Sequence, residues 1–339
     1  MFSLVIPCYN PEKTIFRLFD SLTKQCISNN ELEIILVDDK SDSLEYRNKL
    51  SKYGFNLIFT ETGKDPEQIV HCPGNARREG LNHVSGKWVC FCDQDDYFEG
   101  CAFLKVKKFI EQNEKNRKIY TISTIMRSYN EETDECYEEY PNSHPWLHGK
   151  WYSMDNLIIP FNINFKKNLM THEDLYFNSS VLAALCKLHA DWDHLDAYTY
   201  RWVDTPDSMT RRINAGRGYL YENFHDYIVG SGEPFWEYAK ETKNIMFINQ
   251  IIMTLLHCYF YYEAAVYFNG PANYKDILEM IKNYLNDIMN DFDFSLKYII
   301  NFVYSDPFKY KIVLADCEAH TGQFIAISSF KDFVIKISK

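Results

Sequence analysis

The chain has 339 residues, of which 46% are hydrophobic and 24% charged, and its formal net charge at pH 7 is -11. These proportions predict a globular protein with a sizeable core and exclude disorder along the whole chain. The acidic balance argues against a surface built mainly to bind a phosphate backbone, because such surfaces gather Lys and Arg.

The cysteines, the N-terminus and the apolar segment 245–262 indicate in which cellular compartment the protein is expected. The ten cysteines form no CxxC pair, so free thiols in a reducing compartment are predicted. The N-terminus shows no basic segment followed by a long apolar run, which predicts no secretory signal. Polar residues interrupt the apolar segment 245–262, which favours a buried helix over a membrane span. The expected location is the cytoplasm, including the inner face of a membrane.

Strand and helix signals alternate through the first part of the chain. Apolar runs predict strands at 3–9, 33–39, 55–60 and 87–92, and helical spacing predicts helices at 11–25, 43–53 and 75–83. This alternation predicts an α/β fold with a mostly parallel, Rossmann-like sheet, right-handed crossovers and flanking helices. In such sheets, ligands bind at the carboxyl ends of the strands.

The fourth predicted strand ends in three carboxylates within four residues, Asp93, Asp95 and Asp96. Their repulsion is costly unless a cation or a hydrogen-bonded ligand compensates it. Asp is also common in turns after strands, so these residues alone do not choose between a divalent metal site and an acidic turn. Asp38 and Asp39 follow another strand of the same sheet, and the shared edge would bring both groups together. Their joint placement favours a ligand site.

Seven blocks occur in one order over about the first 210 residues. They are Val5–Asn10, Val37–Asp42, Ala76–Arg77 with Gly80, Asp93–Asp96, Leu147–Tyr152, His172–Phe177 and Tyr200–Thr210. Together they resemble the family-two glycosyltransferases of GT-A fold, which are metal-dependent and usually inverting. The sequence departs from the family pattern at Lys40, where Gly is usual, at Arg78, where Asn is usual, and in a longer loop at 62–73.

The resemblance implies a GT-A catalytic domain over residues 1–212. It fades from about residue 213, and apolar spacing at 234–267, 274–289 and 294–304 predicts a mainly helical region over 213–339. Acceptor binding, dimerisation to a homo-oligomer and docking on a membrane surface are all compatible with such a region.

The resemblance implies a nucleotide-diphosphate sugar as donor, with a UDP-sugar favoured. A cation, Mn²⁺ or Mg²⁺, would offset the charge that develops on the diphosphate. Asp95 is expected to bind the metal directly, and Asp93 to contact the metal or the ribose. Gln94 lies between them in the motif, and Asp96 would orient either one.

The nucleoside half of the predicted site comes from earlier blocks. Asp39 resembles the family residue that accepts from the ring N–H of a uracil-type base, and Arg77 the one that meets the base or the ribose. Pro7 and Tyr9 lie at the end of the first strand, where Tyr9 offers an aromatic face. A surface helix position for Arg77 and a packed strand end for Tyr9 are the structural alternatives.

An inverting transfer needs a carboxylate to take the proton from the acceptor hydroxyl. The resemblance assigns this role to Asp174, with Glu173 as its neighbour and as the alternative base. A competing interpretation is structural, because Thr171–Asp174 also matches a capping box at the start of a helix. The loop 204–210 is expected to close near the diphosphate and exclude water.

A further set of residues is expected to line the donor sugar or the acceptor. A lone Trp or His is more often part of a core, so the assignment rests on the family block. The set consists of Asp96, His148, Gly149, Lys150, Trp151 and Arg201.

The function favoured by the sequence is therefore transfer of a sugar from a nucleotide sugar to a hydroxyl of a glycan or related acceptor. A protein or a modified nucleic-acid base as acceptor, and a non-catalytic nucleotide-sugar-binding relative, are the alternatives. A sugar-nucleotide pyrophosphorylase is disfavoured, because its Gly-rich phosphate loop is absent after the first strand. Retention of the metal acids and of Glu173 with Asp174 speaks against a binding module.

Overall fold

The computed structural model describes residues 1–63, 65–143, 146–204, 224–242 and 274–292. The chain divides into two compact units, Met1–Tyr219 and Leu220–Lys339. The predicted domain boundary at 212 stays a prediction. The predicted closing loop lies outside the described residues from position 205 onward.

A nine-stranded sheet organises the described part of the first unit. Its strands are β1 Phe2–Cys8, β2 Leu32–Asp38, β3 Asn56–Glu61, β4 Trp88–Phe91, β5 Tyr97–Phe98, β6 Thr121–Asn130, β7 Cys136–Tyr140, β8 Lys150–Ser153 and β9 Asp193–Asp204. The order is β3-β2-β1-β4-β8-β6-β9-β5, and β7 pairs with β6. The half from β3 to β4 is parallel throughout, and β6 pairs in parallel with β9. The predicted α/β fold of GT-A type is confirmed.

Seven α-helices are described. Those of the first unit are α1 Ile15–Leu22, α2 Glu45–Leu50, α3 Pro73–Leu81, α4 Ala102–Asn113 and α5 Glu173–Leu188, and those of the second are α6 Phe224–Thr242 and α7 Tyr274–Phe292. Within the second unit, Trp236 of α6 donates to Asp291 of α7 at 2.8 Å. The described part of this unit consists of these two helices, and residues 243–267 of the predicted stretch 234–267 and the helix predicted at 294–304 lie outside the described residues.

Alternating apolar residues of the central strands bury both faces of the sheet. Leu4 and Ile6 of β1 pack in one cluster with α1 and α4, and Val5 packs in the other with α3 and α5. Gly80 allows α3 to lie against the sheet, because a Cβ there would collide with Val5. The second cluster therefore fixes α3 and α5, which deliver side chains to the carboxyl edge of the sheet.

A disulfide joins Cys26 to Cys101, which corrects the prediction that the cysteines are free thiols. The two residues lie 75 positions apart in turns that the fold brings together, with a Cα–Cα distance of 5.1 Å. Cys90 and Cys92 are free and buried, as predicted. The predicted cytoplasmic location stays a prediction.

Within the described ranges, none of the helices is both long enough and apolar enough to cross a membrane.

Candidate active site

The ends of β1, β2 and β4 meet at one edge of the sheet. Cys8 is in register with Asp38, and the Asp39 amide donates to the Cys8 carbonyl at 2.7 Å. Gln94 ties the segment after β4 to this edge: its Oε1 accepts from the Tyr9 amide at 2.7 Å and its Nε2 donates to the Tyr9 carbonyl at 2.8 Å. Gln94 therefore fixes the spacing of two segments that the sequence predicts to bind the donor.

Asp39 is buried, and both of its carboxylate oxygens are engaged. Its Oδ1 accepts from the Thr62 hydroxyl, and its Oδ2 accepts from the Cys72 amide at 2.7 Å. Tyr9 is 43% exposed, and its ring centroid lies 4.2 Å from that of His71. Pro7, within β1, is half-buried. Asp39 thus anchors the loop that leads into α3, while Tyr9 presents an open ring at the same strand edge.

Two of the three departures from the family pattern, Lys40 and Arg78, have a defined local geometry. Lys40 adopts a φ of 67°, a left-handed conformation that Gly adopts without steric cost. Arg78 donates from Nη1 to the Phe165 carbonyl at 2.7 Å. Position 40 thus keeps the backbone conformation that favours the family's Gly, and the Arg78 side chain is held by a backbone carbonyl.

Arg77 is only 4% exposed and makes two ion pairs. Its Nη2 meets Oδ1 of Asp93, and its Nη1 lies 2.6 Å from Oε1 of Glu173. Burial alone would lower the pKa of Arg77, but the two carboxylates outweigh it and raise the pKa. Although burial favours the neutral acid, Arg77 and His148 hold the pKa of Asp93 well below its usual range. A contact of Arg77 with the nucleotide stays a prediction.

Asp93, Asp96 and His148 form a candidate metal centre, with one ligand atom of each lying within 4.8 Å of the others. His148 Nε2 is 3.4 Å from Asp93 Oδ2 and 3.9 Å from Asp96 Oδ2. Two carboxylates and an imidazole fit a divalent cation, and the imidazole suits Mn²⁺ better than Mg²⁺. The sequence indicated Asp93 but missed the combination with His148, which comes from a distant block.

Asp95, the metal ligand that the sequence prefers, lies beside this group and is not one of its three members. Its carbonyl oxygen accepts from Arg17 Nη2 at 2.5 Å. Burial, with the added effect of Asp93, raises the pKa of its side chain to about 6. Direct metal binding by Asp95 stays a prediction.

Asp96 is fixed by β9. Its Oδ2 accepts from the Tyr200 hydroxyl and its Oδ1 from the Val203 amide, each at 2.7 Å. Burial, followed by the charges of Asp95 and Asp93, raises the pKa of Asp96 well above its ordinary value. No local signal around Tyr200 indicates this role, because the two residues are 104 positions apart.

The two base candidates begin α5. His172 occupies the N-cap with a φ of 59° and makes no capping hydrogen bond from its side chain, so the predicted capping box is wrong. Burial raises the pKa of Glu173 to about 7, and the Arg77 charge opposes this effect. Asp174 is half-buried, and its Oδ1 accepts from the Leu175 amide at 2.8 Å. Glu173 is thus committed to an ion pair, whereas Asp174 is adjacent to it and partly open.

Two of the residues predicted to line donor or acceptor are buried. Trp151 has no exposed surface and packs in the core. Lys150 is also buried, with its ammonium 5.6 Å from the Trp192 ring centroid. A substrate contact by either side chain stays a prediction.

The other members of that set have structural partners as well. Gly149 has a φ of 66°, and its carbonyl accepts from the Thr124 hydroxyl at 2.7 Å. Arg201 donates to Glu99 at 2.8 Å and lies 4.2 Å above the Tyr129 ring. These contacts hold β6, β8 and β9 together, and a substrate contact by either residue stays a prediction.

Replacing Lys150 with Met should stabilise the protein, most strongly at low pH. Burial lowers the pKa of Lys150 to about 7, against an opposing effect of Asp174, from an ordinary value of 10.5. Between these values the unfolded chain binds more protons, so wild-type stability rises with pH across this window. Removing the charge should gain on the order of 2 to 4 kcal/mol below the folded pKa and progressively less above it.

The measurement is the free energy of unfolding in urea at about pH 6 and about pH 9. The exposed Lys118, changed to Met, serves as the control and should alter stability by less than about 0.5 kcal/mol at either pH. An equal effect of Lys150→Met at both pH values would show that the buried charge is not its cause.

The fold and this edge define the class of protein. A parallel half-sheet whose carboxyl edge gathers carboxylates and a buried Arg has the architecture of a GT-A nucleotide-sugar-binding domain. The Glycosyl transferase family 2 model matches residues 3–185, and the chain belongs to this family.

Two curated relatives each match about a third of the chain. The poly(ribitol-phosphate) beta-glucosyltransferase of Bacillus spizizenii is 34% identical over 116 residues, which make up 34% of this chain and 18% of that protein. The poly(ribitol-phosphate) beta-N-acetylglucosaminyltransferase TarS of Staphylococcus aureus is 33% identical over 118 residues, which make up 33% of this chain and 19% of that protein. The chain therefore spans about a fifth of the length of these relatives.

A solved structure agrees with the fold over a longer range. The crystal structure of S. aureus TarS 1-349 in complex with UDP-GlcNAc has a TM-score of 0.54 at 17% identity and covers 99% of this chain and 91% of that one. At this identity, the likeness shows the fold.

Proposed function

We propose that this protein is a metal-dependent, inverting glycosyltransferase that moves a sugar from a UDP-sugar to a hydroxyl group of a glycan. One observation carries the proposal: Arg77 joins the acidic strand end at Asp93 to the helix start at Glu173 within a family-two domain. A module that only binds nucleotide sugars needs no carboxylate at the start of α5. The names of the relatives favour a polyol-phosphate polymer as the acceptor.

In the proposed reaction, Tyr9 and Asp39 hold the nucleoside. Asp93, Asp96 and His148 would bind a divalent cation, which supplies positive charge to offset the charge that develops on the diphosphate. Asp95 would add a further ligand if the loop after β4 adjusts on binding.

Asp174 is the proposed base. It takes the proton from the acceptor hydroxyl while that oxygen forms a bond to the anomeric carbon, on the face opposite the leaving nucleotide. The bond between the anomeric carbon and the diphosphate oxygen breaks, and its electron pair leaves with the nucleotide. The configuration at the anomeric carbon is inverted as a result.

The test is hydrolysis and binding of a panel of nucleotide sugars, followed by mass spectrometry, with Mn²⁺, with Mg²⁺ and after chelation. UDP-sugars are expected to be hydrolysed slowly with Mn²⁺ and not after chelation, while purine-nucleotide sugars should not be. Poly(ribitol-phosphate) and a neutral polysaccharide then serve as competing acceptors. If no nucleotide sugar is bound or hydrolysed with either metal, the proposal is wrong.

A further inference from the structure

The guanidinium of Arg77 connects three separate elements. It extends from α3 and meets Asp93, in the segment after β4, and Glu173, the first residue of α5. Asp93 also belongs to the candidate metal centre, where its second oxygen faces His148 at 3.4 Å. The residue that follows Glu173 is the proposed base, Asp174. The buried guanidinium of Arg77 therefore contacts the candidate metal centre through Asp93 and the segment that carries the proposed base through Glu173.

Two features limit what Arg77 can do besides bridging these carboxylates. Its side chain is 5% exposed, and its Nε, also buried, has no hydrogen-bond partner among the described residues. A buried charge that loses one partner is strongly disfavoured. The planar fork of a guanidinium spans two carboxylates at once, which a single Lys ammonium does not. The side chain is thus held between Asp93 and Glu173.

A cation at the metal centre would compete with Arg77 for Asp93. Positive charge beside Asp93 weakens the attraction between Asp93 and Arg77, because the carboxylate is then shared and the two cations repel each other. The remaining partner of Arg77 is Glu173. The contact between Arg77 and Glu173 therefore strengthens as the cation binds.

From this geometry we infer that Arg77 is a positioning residue that couples cation binding at Asp93 to the placement of the first turn of α5. This inference rests on the proposed function and deepens it. Cation binding tightens the hold of Arg77 on Glu173 and so fixes the adjacent Asp174 before the acceptor reacts. Coupling between two sites is reciprocal, so Glu173, which is not a metal ligand, must influence the affinity for the cation.

The experiment measures the dissociation constant of Mn²⁺, in the presence of UDP, by electron paramagnetic resonance. It compares wild type, Glu173→Gln, Arg77→Lys and the double variant. Glu173→Gln leaves Arg77 with Asp93 as its remaining carboxylate, so Mn²⁺ binding should weaken about tenfold when Arg77 is present. In the Arg77→Lys background, the same change should weaken it by less than about twofold, because the bridge is already broken.

Two further variants separate a contact from a general field effect. Glu173→Asp keeps the charge but withdraws it from Arg77, and it should weaken Mn²⁺ binding in the same direction as Glu173→Gln. Asp193, which pairs with Arg117 at 2.9 Å near the start of β9, offers a matched control outside the site. Asp193→Asn should leave the Mn²⁺ affinity unchanged within about twofold.

Equal weakening by Glu173→Gln in both backgrounds, or wild-type affinity in Glu173→Asp, would overturn the coupling. If Arg77→Lys does not fold, the comparison of Glu173→Asp with wild type decides the question by itself. Failure of the wild-type protein to bind Mn²⁺ and UDP would be a different result, because it would overturn the proposed function.

Discussion

Replacing Asp174 with Asn is expected to lower kcat for sugar transfer by about 10² to 10⁴-fold, the usual contribution of a general base. The side chain keeps its shape, and an amide oxygen can still accept from the Leu175 amide, as Oδ1 does at 2.8 Å. The start of α5 should therefore remain intact. The affinity for UDP should stay within about twofold of wild type, because Asp174 is not placed against the nucleoside residues. Initial rates at saturating donor, metal and acceptor provide the measurement.

Glu173→Gln is the matched comparison for this prediction, since it neutralises the neighbouring carboxylate. At saturating Mn²⁺ its effect on kcat should be smaller than that of Asp174→Asn, because Glu173, paired with Arg77 at 2.6 Å, positions the base and does not itself take the proton. Full transfer activity in Asp174→Asn, together with a large loss in Glu173→Gln, would move the role of base to Glu173.

Replacing Trp151 with Ala is expected to lower the free energy of unfolding by about 3 to 5 kcal/mol. Trp151 is fully buried, and its ring packs edge to face against Phe103 with 6.2 Å between centroids. Truncation removes a large apolar side chain and leaves a cavity in the cluster that covers one face of the sheet. Urea unfolding followed by far-ultraviolet circular dichroism gives the free energy.

Trp151→Phe provides the control. The Trp151 indole N–H has no hydrogen-bond partner among the described residues, so its removal relieves a buried unsatisfied donor and offsets part of the lost packing. The expected cost is about 1 kcal/mol, clearly below that of the Ala variant. If Trp151 lined the donor sugar instead, both variants would weaken donor binding while leaving stability almost unchanged.

The candidate active site brings five carboxylates together. Asp93, Asp95, Asp96, Glu173 and Asp174 lie within two short segments of the chain. Asp93 and Glu173 are balanced by Arg77, while Asp96 is held by hydrogen bonds from β9. The cost of gathering such charges is consistent with a site that binds a divalent cation.

The sequence alone determined the α/β class and the position of the acids in the fold. An apolar run of four to seven residues predicts a buried strand, and the polar residue at its end must lie at a sheet edge. Local order along the chain is enough for both inferences. The seven blocks then indicated the family, which the family model over residues 3–185 supports independently.

Only the tertiary structure decided which side chains meet. Arg77 and Glu173 are 96 residues apart, Asp96 and Val203 are 107 apart, and Cys26 and Cys101 are 75 apart. Such contacts depend on strand order and on the packing of α3 and α5 against the sheet, which no local pattern encodes. Strand alternation at β8 likewise placed Trp151 in the core, although its block resembles a substrate-lining segment. Sequence therefore located the edge of the sheet where chemistry is expected, and packing assigned partners to the residues there.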